Sequence, residues 1–365
     1  MKNISKILTL VLTLIVPAAE AGTAQNADCG DRKQLSELYM KAAQTGGEED
    51  KKKLGAALYP VVLCLSKNNA LQPSPLRGPF AIVIEVLAAL GEVPVKFPTD
   101  TEIEPNPKAA APYNSRGYAH NNLRQFERAI EDYNKVIELN PNDGAAYNNR
   151  AFAYNNLKQY DKALADCHKA IELDPKDGSA YNCRAHAYAG LEKYEKAVTD
   201  FDKVIELNPE AGLAYNARGS MFSLLGQYKK AIEDSSKAID LNPKHAGAYN
   251  TRGLAYGRLN KHSKAIKNLS KAIKLDPRLA QAYANRGFVY NNKKKYSKAI
   301  EDCSKAIELD PNYASAYNNR GFAYNQLKEY ARAIADYDKA IALDPRYAAA
   351  ASNRKEAYSA LRQRY

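Results

Sequence analysis

Eight prolines set the period of this chain. Pro107, Pro141, Pro175, Pro209, Pro243, Pro277, Pro311 and Pro345 each fall 34 residues after the one before. A single globular core has no use for such a period. A stack of 34-residue units does, because each unit then meets its neighbour through the same contacts. The units share one pattern, A-Y-N-x-R-G-x-A-Y-x-x-L-x-x-Y-x-K-A-I-x-D-x-x-K-A-I-E-L-D-P. With the proline numbered position 32, each unit is expected to hold a first helix over about positions 2–14 and a second over about 18–30. Repeat 1 is residues 110–143, and six more follow in steps of 34.

The invariant positions are packing positions. Position 4 is Tyr in every repeat (Tyr113, Tyr147, Tyr181, Tyr215, Tyr249, Tyr283, Tyr317), and position 8 is Gly or Ala. Position 20 is always Ala (Ala129, Ala163, Ala197, Ala231, Ala265, Ala299, Ala333). Small residues at 8 and 20 let two helices approach, and large ones at 4, 11, 17 and 24 fill the holes beside them. Cys167 and Cys303, both at position 24, read as small core residues with free thiols. Over residues 108–345 the pattern closely resembles the tetratricopeptide repeat (TPR), a pair of antiparallel helices. The resemblance implies an all-α, right-handed α-solenoid of stacked helix-turn-helix units. Residues 346–365 then read as a polar capping helix.

One position departs from that family, which places a large apolar residue at position 7. Here it is Arg throughout: Arg116, Arg150, Arg184, Arg218, Arg252, Arg286, Arg320 and Arg354. Position 23 is Asp in six repeats and Asn268 in the other. A partly buried guanidinium needs a carboxylate, so a structural Arg–Asp ladder is expected. A row of arginines lining a groove for acidic ligands is the alternative.

Positions 2, 5, 9, 12 and 13 share one face of the first helix, and the resemblance makes that face the concave wall. Position 5 is Asn114, Asn148, Asn182, Asn216, Asn250 and Asn318, interrupted by Ala284. Repeated amides suit an extended peptide, whose backbone they pair with regardless of its side chains. Position 9 is aromatic near both ends (Tyr118, Phe152, Phe288, Phe322), with His186, Ser220 and Leu254 between. Positions 12 and 13 add Asn121, Asn122, Asn155 and Asn156 early, and Asn291, Asn292, Asn325 and Gln326 late. These residues predict two similar pockets, one near each end, separated by plainer repeats. The family's carboxylate clamp uses Lys at position 5 and Asn at position 9. This chain has neither in place, so chaperone-type acidic tails are not expected ligands.

The chain carries a net charge of +12, and residues 1–109 contribute none of it. Repeats 1–3 are neutral or slightly acidic, whereas repeat 5 alone holds +7. Its Arg258, Lys261, Lys264, Lys267, Lys271, Lys274 and Arg278 recur every three or four residues. Such a patch attracts an acidic partner or an anionic envelope surface. Nucleic acid matches the charge, but no base-reading motif accompanies it.

Residues 1–21 resemble a secretory leader: Lys2 and Lys6, an apolar run from Ile7 to Val16, then Ala19-Glu20-Ala21. Export is therefore expected, to a bacterial periplasm, with no transmembrane span in the mature chain. Residues 22–72 read as a small helical segment flanked by Cys29 and Cys64. In an oxidising compartment these two would bridge, and two unpaired thiols are the alternative. Residues 73–107 read as an apolar helix followed by a proline-rich connector. The five histidines sit at unrelated positions, and no HExxH, CxxC, GxSxG or phosphate-cradling glycine loop is present. The expectation is a non-enzymatic scaffold without cofactor or metal, binding an extended protein segment. The alternatives are an envelope-docking factor acting through repeat 5 and, against the evidence for export, a nucleic-acid-associated protein.

Overall fold

Fifteen helices follow one another in the computed structural model, which describes residues 109–363. The leader, the Cys29–Cys64 pair and the connector lie outside the described residues. The helices are α1 (Ala110–Asn122), α2 (Phe126–Leu139), α3 (Gly144–Asn156), α4 (Tyr160–Leu173) and α5 (Gly178–Gly190). Next come α6 (Tyr194–Leu207), α7 (Gly212–Leu224), α8 (Tyr228–Leu241), α9 (Ala246–Arg258) and α10 (His262–Leu275). The last are α11 (Ala280–Asn292), α12 (Tyr296–Leu309), α13 (Ala314–Gln326), α14 (Tyr330–Leu343) and α15 (Ala348–Arg362). First helices thus begin and end one residue earlier than the sequence predicts, and second helices begin one residue earlier. The chain divides into two compact units, the smaller ending at residue 153 and the larger beginning at residue 154.

Each of the seven prolines from Pro141 to Pro345 stands inside an Asx turn. The residue before it is Asn or Asp, and its Oδ1 accepts from the backbone N–H two residues on. This holds for Asn140, Asp174, Asn208, Asn242, Asp276, Asp310 and Asp344, at 2.9–3.3 Å. Pro denies this residue the α region and adds no N–H of its own, so the second helix stops here. A second recurring device closes the turn between the two helices. Position 15 takes positive φ in every repeat, at Arg124, Lys158, Glu192, Gly226, Asn260, Lys294 and Lys328. Gly226 alone adopts this region without strain.

Packing follows the small positions. All seven alanines at position 20 are fully buried. At position 8 of repeats 5 and 7 a side chain has no room: a Cβ on Gly253 would stand 2.6 Å from Leu269, and one on Gly321 2.9 Å from Tyr337. Cys167 and Cys303 are wholly buried with free thiols, as expected of core residues. In the larger unit each first helix packs against the second helix of its own repeat and of the repeat before. Successive first helices also pack together (α7 on α9, α9 on α11, α11 on α13), and no successive pair of second helices packs as closely. First helices are therefore the inner layer and second helices the outer one. Helix α15 packs against α13 and α14, with Ser352, Lys355, Glu356 and Ser359 exposed.

The Arg–Asp ladder is present. Arg184, Arg218, Arg286 and Arg320 each meet the Asp of their own second helix through two parallel bonds of 2.7–2.8 Å. Arg116 meets Asp132 in the same way in the smaller unit, and Arg252 bonds Asn268 Oδ1 at 2.8 Å. The aspartates are almost fully buried. The ladder also does what the sequence did not show. The remaining nitrogen, Nη1, reaches position 25 on the second helix of the preceding repeat: Asp202, Ser236, Ser270, Ser304 and Asp338. Each guanidinium also lies over the position 4 tyrosine one turn back, 5.4–5.8 Å from the ring centre. One side chain thus fixes its own hairpin and the spacing to the previous one.

Candidate peptide-binding groove

The amides foreseen for the groove divide into two sets. Three at position 12 are engaged across the repeat boundary. Asn121 Nδ2 donates to Asn149 O at 3.0 Å, Asn155 to Cys183 O at 2.9 Å and Asn291 to Asn319 O at 2.7 Å. Asn121 and Asn291 are buried by this arrangement, and Asn325 is half-buried. Their exposed neighbours at position 13 are Asn122, Asn156 and Asn292.

Position 5 is different. In the larger unit its carbonyl oxygen faces position 6 of the next repeat. Asn216 Oδ1 accepts from Thr251 Oγ1 at 3.1 Å, Asn250 from Asn285 Nδ2 at 2.9 Å and Asn318 from Asn353 Nδ2 at 3.1 Å. Asn318 is buried. Asn216 and Asn250 are half-buried and have no further partner for their Nδ2 donors among the described residues. Position 6 of the repeat after Asn182 is Ala217, whose side chain offers no donor, and the half-buried Asn182 amide has no hydrogen-bond partner among the described residues. Asn182, Asn216 and Asn250 therefore present N–H groups from three successive inner helices, α5, α7 and α9. Asn114 and Asn148, in the smaller unit, are half-buried.

The aromatics are less uniform than their spacing implies. Phe152 is exposed and meets Phe126 edge-on at 6.5 Å between ring centres. Tyr118 and Phe322 are half-buried. Phe288 is half-buried and covered by the guanidinium of Arg258, 4.5 Å from the ring centre. The middle repeats are not plain. Leu213 and Leu224, at positions 2 and 13 of repeat 4, are 43% and 59% exposed. They lie three turns apart on the face of α7 that carries Asn216 and Ser220. A sequence signal existed: every other repeat carries a small, polar or charged residue at these two positions.

The basic patch of repeat 5 also divides. Arg258 ends α9 and lies over Phe288, so it belongs to the inner layer and not to the stripe. Lys261 precedes α10, and Arg278 lies in the proline turn, its N–H bonded to Asp276. The four that share one outer face of α10 are Lys264, Lys267, Lys271 and Lys274, all exposed. Among the described residues, no group of three or more His, Cys, Asp or Glu is placed to hold a metal. No described helix is long and apolar enough to cross a membrane.

Family comparison agrees with this architecture. The tetratricopeptide repeat model matches residues 110–143, 144–177, 178–210, 280–313 and 314–347, and a second TPR repeat model matches 219–260 and 258–294. The chain belongs to the tetratricopeptide repeat family. Among solved structures, this TPR chain is similar to a tetratricopeptide repeat protein from Parabacteroides merdae. That pair shares 21% identity with a TM-score of 0.58, over 68% of this chain and 98% of the other. It is also similar to a structure of the APC/C hetero-tetramer Cut9–Hcn1. There the identity is 19% and the TM-score 0.61, over 85% of this chain and 58% of the other. Both likenesses are of fold. No curated protein matches the chain. A TPR array of this kind is a scaffold for protein partners.

Proposed function

We propose that the protein holds an extended segment of a partner protein against α5, α7 and α9. The observation that carries this reading is the set of amide donors at Asn182, Asn216 and Asn250 beside the exposed Leu213 and Leu224. The carbonyl ends of Asn216 and Asn250 are turned to the next repeat, so these two offer N–H groups, while Asn182 offers both ends of its amide. The N–H groups suit the carbonyl oxygens of an extended backbone. The two leucines supply an apolar seat for its side chains, at roughly 25 cal/mol for each Å² they cover. The ligand is thus an extended segment with apolar side chains.

Peptides selected from a display library of unstructured sequences against the full chain test this. Leu213→Ser and Leu224→Asn place at each site a residue the chain already uses there in other repeats, so folding should be retained. Together they should weaken the selected peptides on the order of tenfold, a loss of about 1.4 kcal/mol. Unchanged affinity, or selection of nothing above background, would remove the proposal. We also propose that this binding takes place outside the cytoplasm, on the strength of residues 1–21. A tagged chain recovered in the cytoplasmic fraction would contradict it.

A further inference from the structure

The outer faces of the second helices follow a charge rule that repeat 5 breaks. Position 26 is Lys in every repeat, and position 29 is acidic in repeats 1–4 and 6. The two form ion pairs along the helix: Lys135–Glu138, Lys169–Glu172, Lys203–Glu206 and Lys305–Glu308, at 2.5–2.8 Å. In repeat 5 position 29 is Lys274, and position 22, where repeats 1, 4 and 6 have Glu, is Lys267. Lys267, Lys271 and Lys274 have no ion-pair partner among the described residues, and the ammonium of Lys264 lies over the Tyr256 ring at 5.6 Å. Four cations thus run about 15 Å along α10. Like charges at this spacing destabilise the helix that carries them, and among the described residues no carboxylate pairs with Lys267, Lys271 or Lys274.

The neighbours define the width of this stripe. The corresponding face of α8 alternates Lys230 and Lys237 with the exposed Glu233 and Asp240, and that of α12 alternates Lys298 and Lys305 with the exposed Glu301 and Glu308, so each carries no net charge. The positive strip is therefore one helix wide with carboxylates on either side. A flat anionic surface or a double-helical polymer lying here would press against those carboxylates. A narrow ligand would not. We infer that Lys264, Lys267, Lys271 and Lys274 form a docking rail for a narrow acidic segment of a protein partner, on the outer face and separate from the groove.

The test uses the full chain and a labelled acidic peptide helix of about four turns, with Glu at the same three- and four-residue spacing. Fluorescence anisotropy should show binding that weakens as salt rises from about 50 to about 200 mM. The doubly substituted chain, Lys267→Glu with Lys274→Glu, adopts the pattern of repeat 6. It should lose on the order of tenfold in peptide affinity, while its denaturation midpoint rises because the Lys271–Glu pair is restored. The opposite movements of binding and stability distinguish a docking rail from a structural feature. Unchanged peptide affinity in that variant would overturn the inference. So would binding to phosphatidylglycerol vesicles or duplex DNA as tight as to the peptide. Groove binding by selected peptides is unaffected by these substitutions, so failure here leaves the groove reading intact.

Discussion

Arg218 holds two second helices at once: its Nε and Nη2 meet Asp234 at 2.8 and 2.7 Å, and its Nη1 meets Asp202 at 2.6 Å. The two partners differ in burial. Asp234 is almost fully buried, whereas the Asp202 side chain is 55% exposed. Asp234→Ala leaves a largely covered guanidinium without its bidentate partner and should cost about 3 kcal/mol. Asp202→Ala should cost under about 1 kcal/mol, as exposed pairs do. Asp234→Asn copies the arrangement at Arg252 and Asn268 and should fall between them. Denaturant midpoints of the three variants check the order. Equal losses at Asp234 and Asp202 would show that the ladder does not depend on its buried rung.

The turn between helices holds a removable strain. Lys294 stands at φ 56°, a region that costs a side-chain-bearing residue roughly 1–2 kcal/mol. Repeat 4 already solves this with Gly226. Lys294→Gly should therefore raise stability by about 0.5–1 kcal/mol, net of the entropy glycine adds to the unfolded chain. The reverse change, Gly226→Lys, should lower it by a similar amount. Thermal melts of the two variants read both signs.

Tyr337 carries a polar atom with nothing to bond. Its ring is fully buried against Ala333 and Ala357, and its hydroxyl has no hydrogen-bond partner among the described residues. Burial accordingly pushes its ionisation well above the usual tyrosine range. An unsatisfied buried hydroxyl costs about 1–3 kcal/mol, and repeat 3 places Phe201 at the same position. Tyr337→Phe should be neutral to stabilising by about 1 kcal/mol. A clear loss of stability would mean that the hydroxyl has a partner in solution.

Much of this architecture was legible because a repeat states each packing position seven times. The proline period fixed the register, and the alternation of Ala, Gly and Tyr then marked the buried faces. The pairing of Arg218 with Asp234 followed from the need of a covered guanidinium for a carboxylate. What could not be read were contacts between repeats. Position 25 varies among Asn, His, Asp and Ser, and no pattern marks it as the second partner of the arginines. The position 12 amides read as groove residues because they share a helix face with positions 5, 9 and 13. Only packing shows that Asn121 is locked on a neighbour's carbonyl and Asn122 is exposed. Leu213 and Leu224 were visible as departures from the repeat, but the regularity of the aromatics drew attention to the ends. Asx turns before each proline were equally visible, since Asn or Asp precedes it in all seven repeats.

The measurement that bears most directly on the central claim is hydrogen exchange of the full chain with and without a peptide selected against it. Bound peptide should slow exchange in the inner helices α5, α7 and α9 and leave the outer helices α6, α8 and α10 unchanged. Protection centred on the outer helices, or none in α7 where Leu213, Asn216 and Leu224 lie, would contradict the account of the groove.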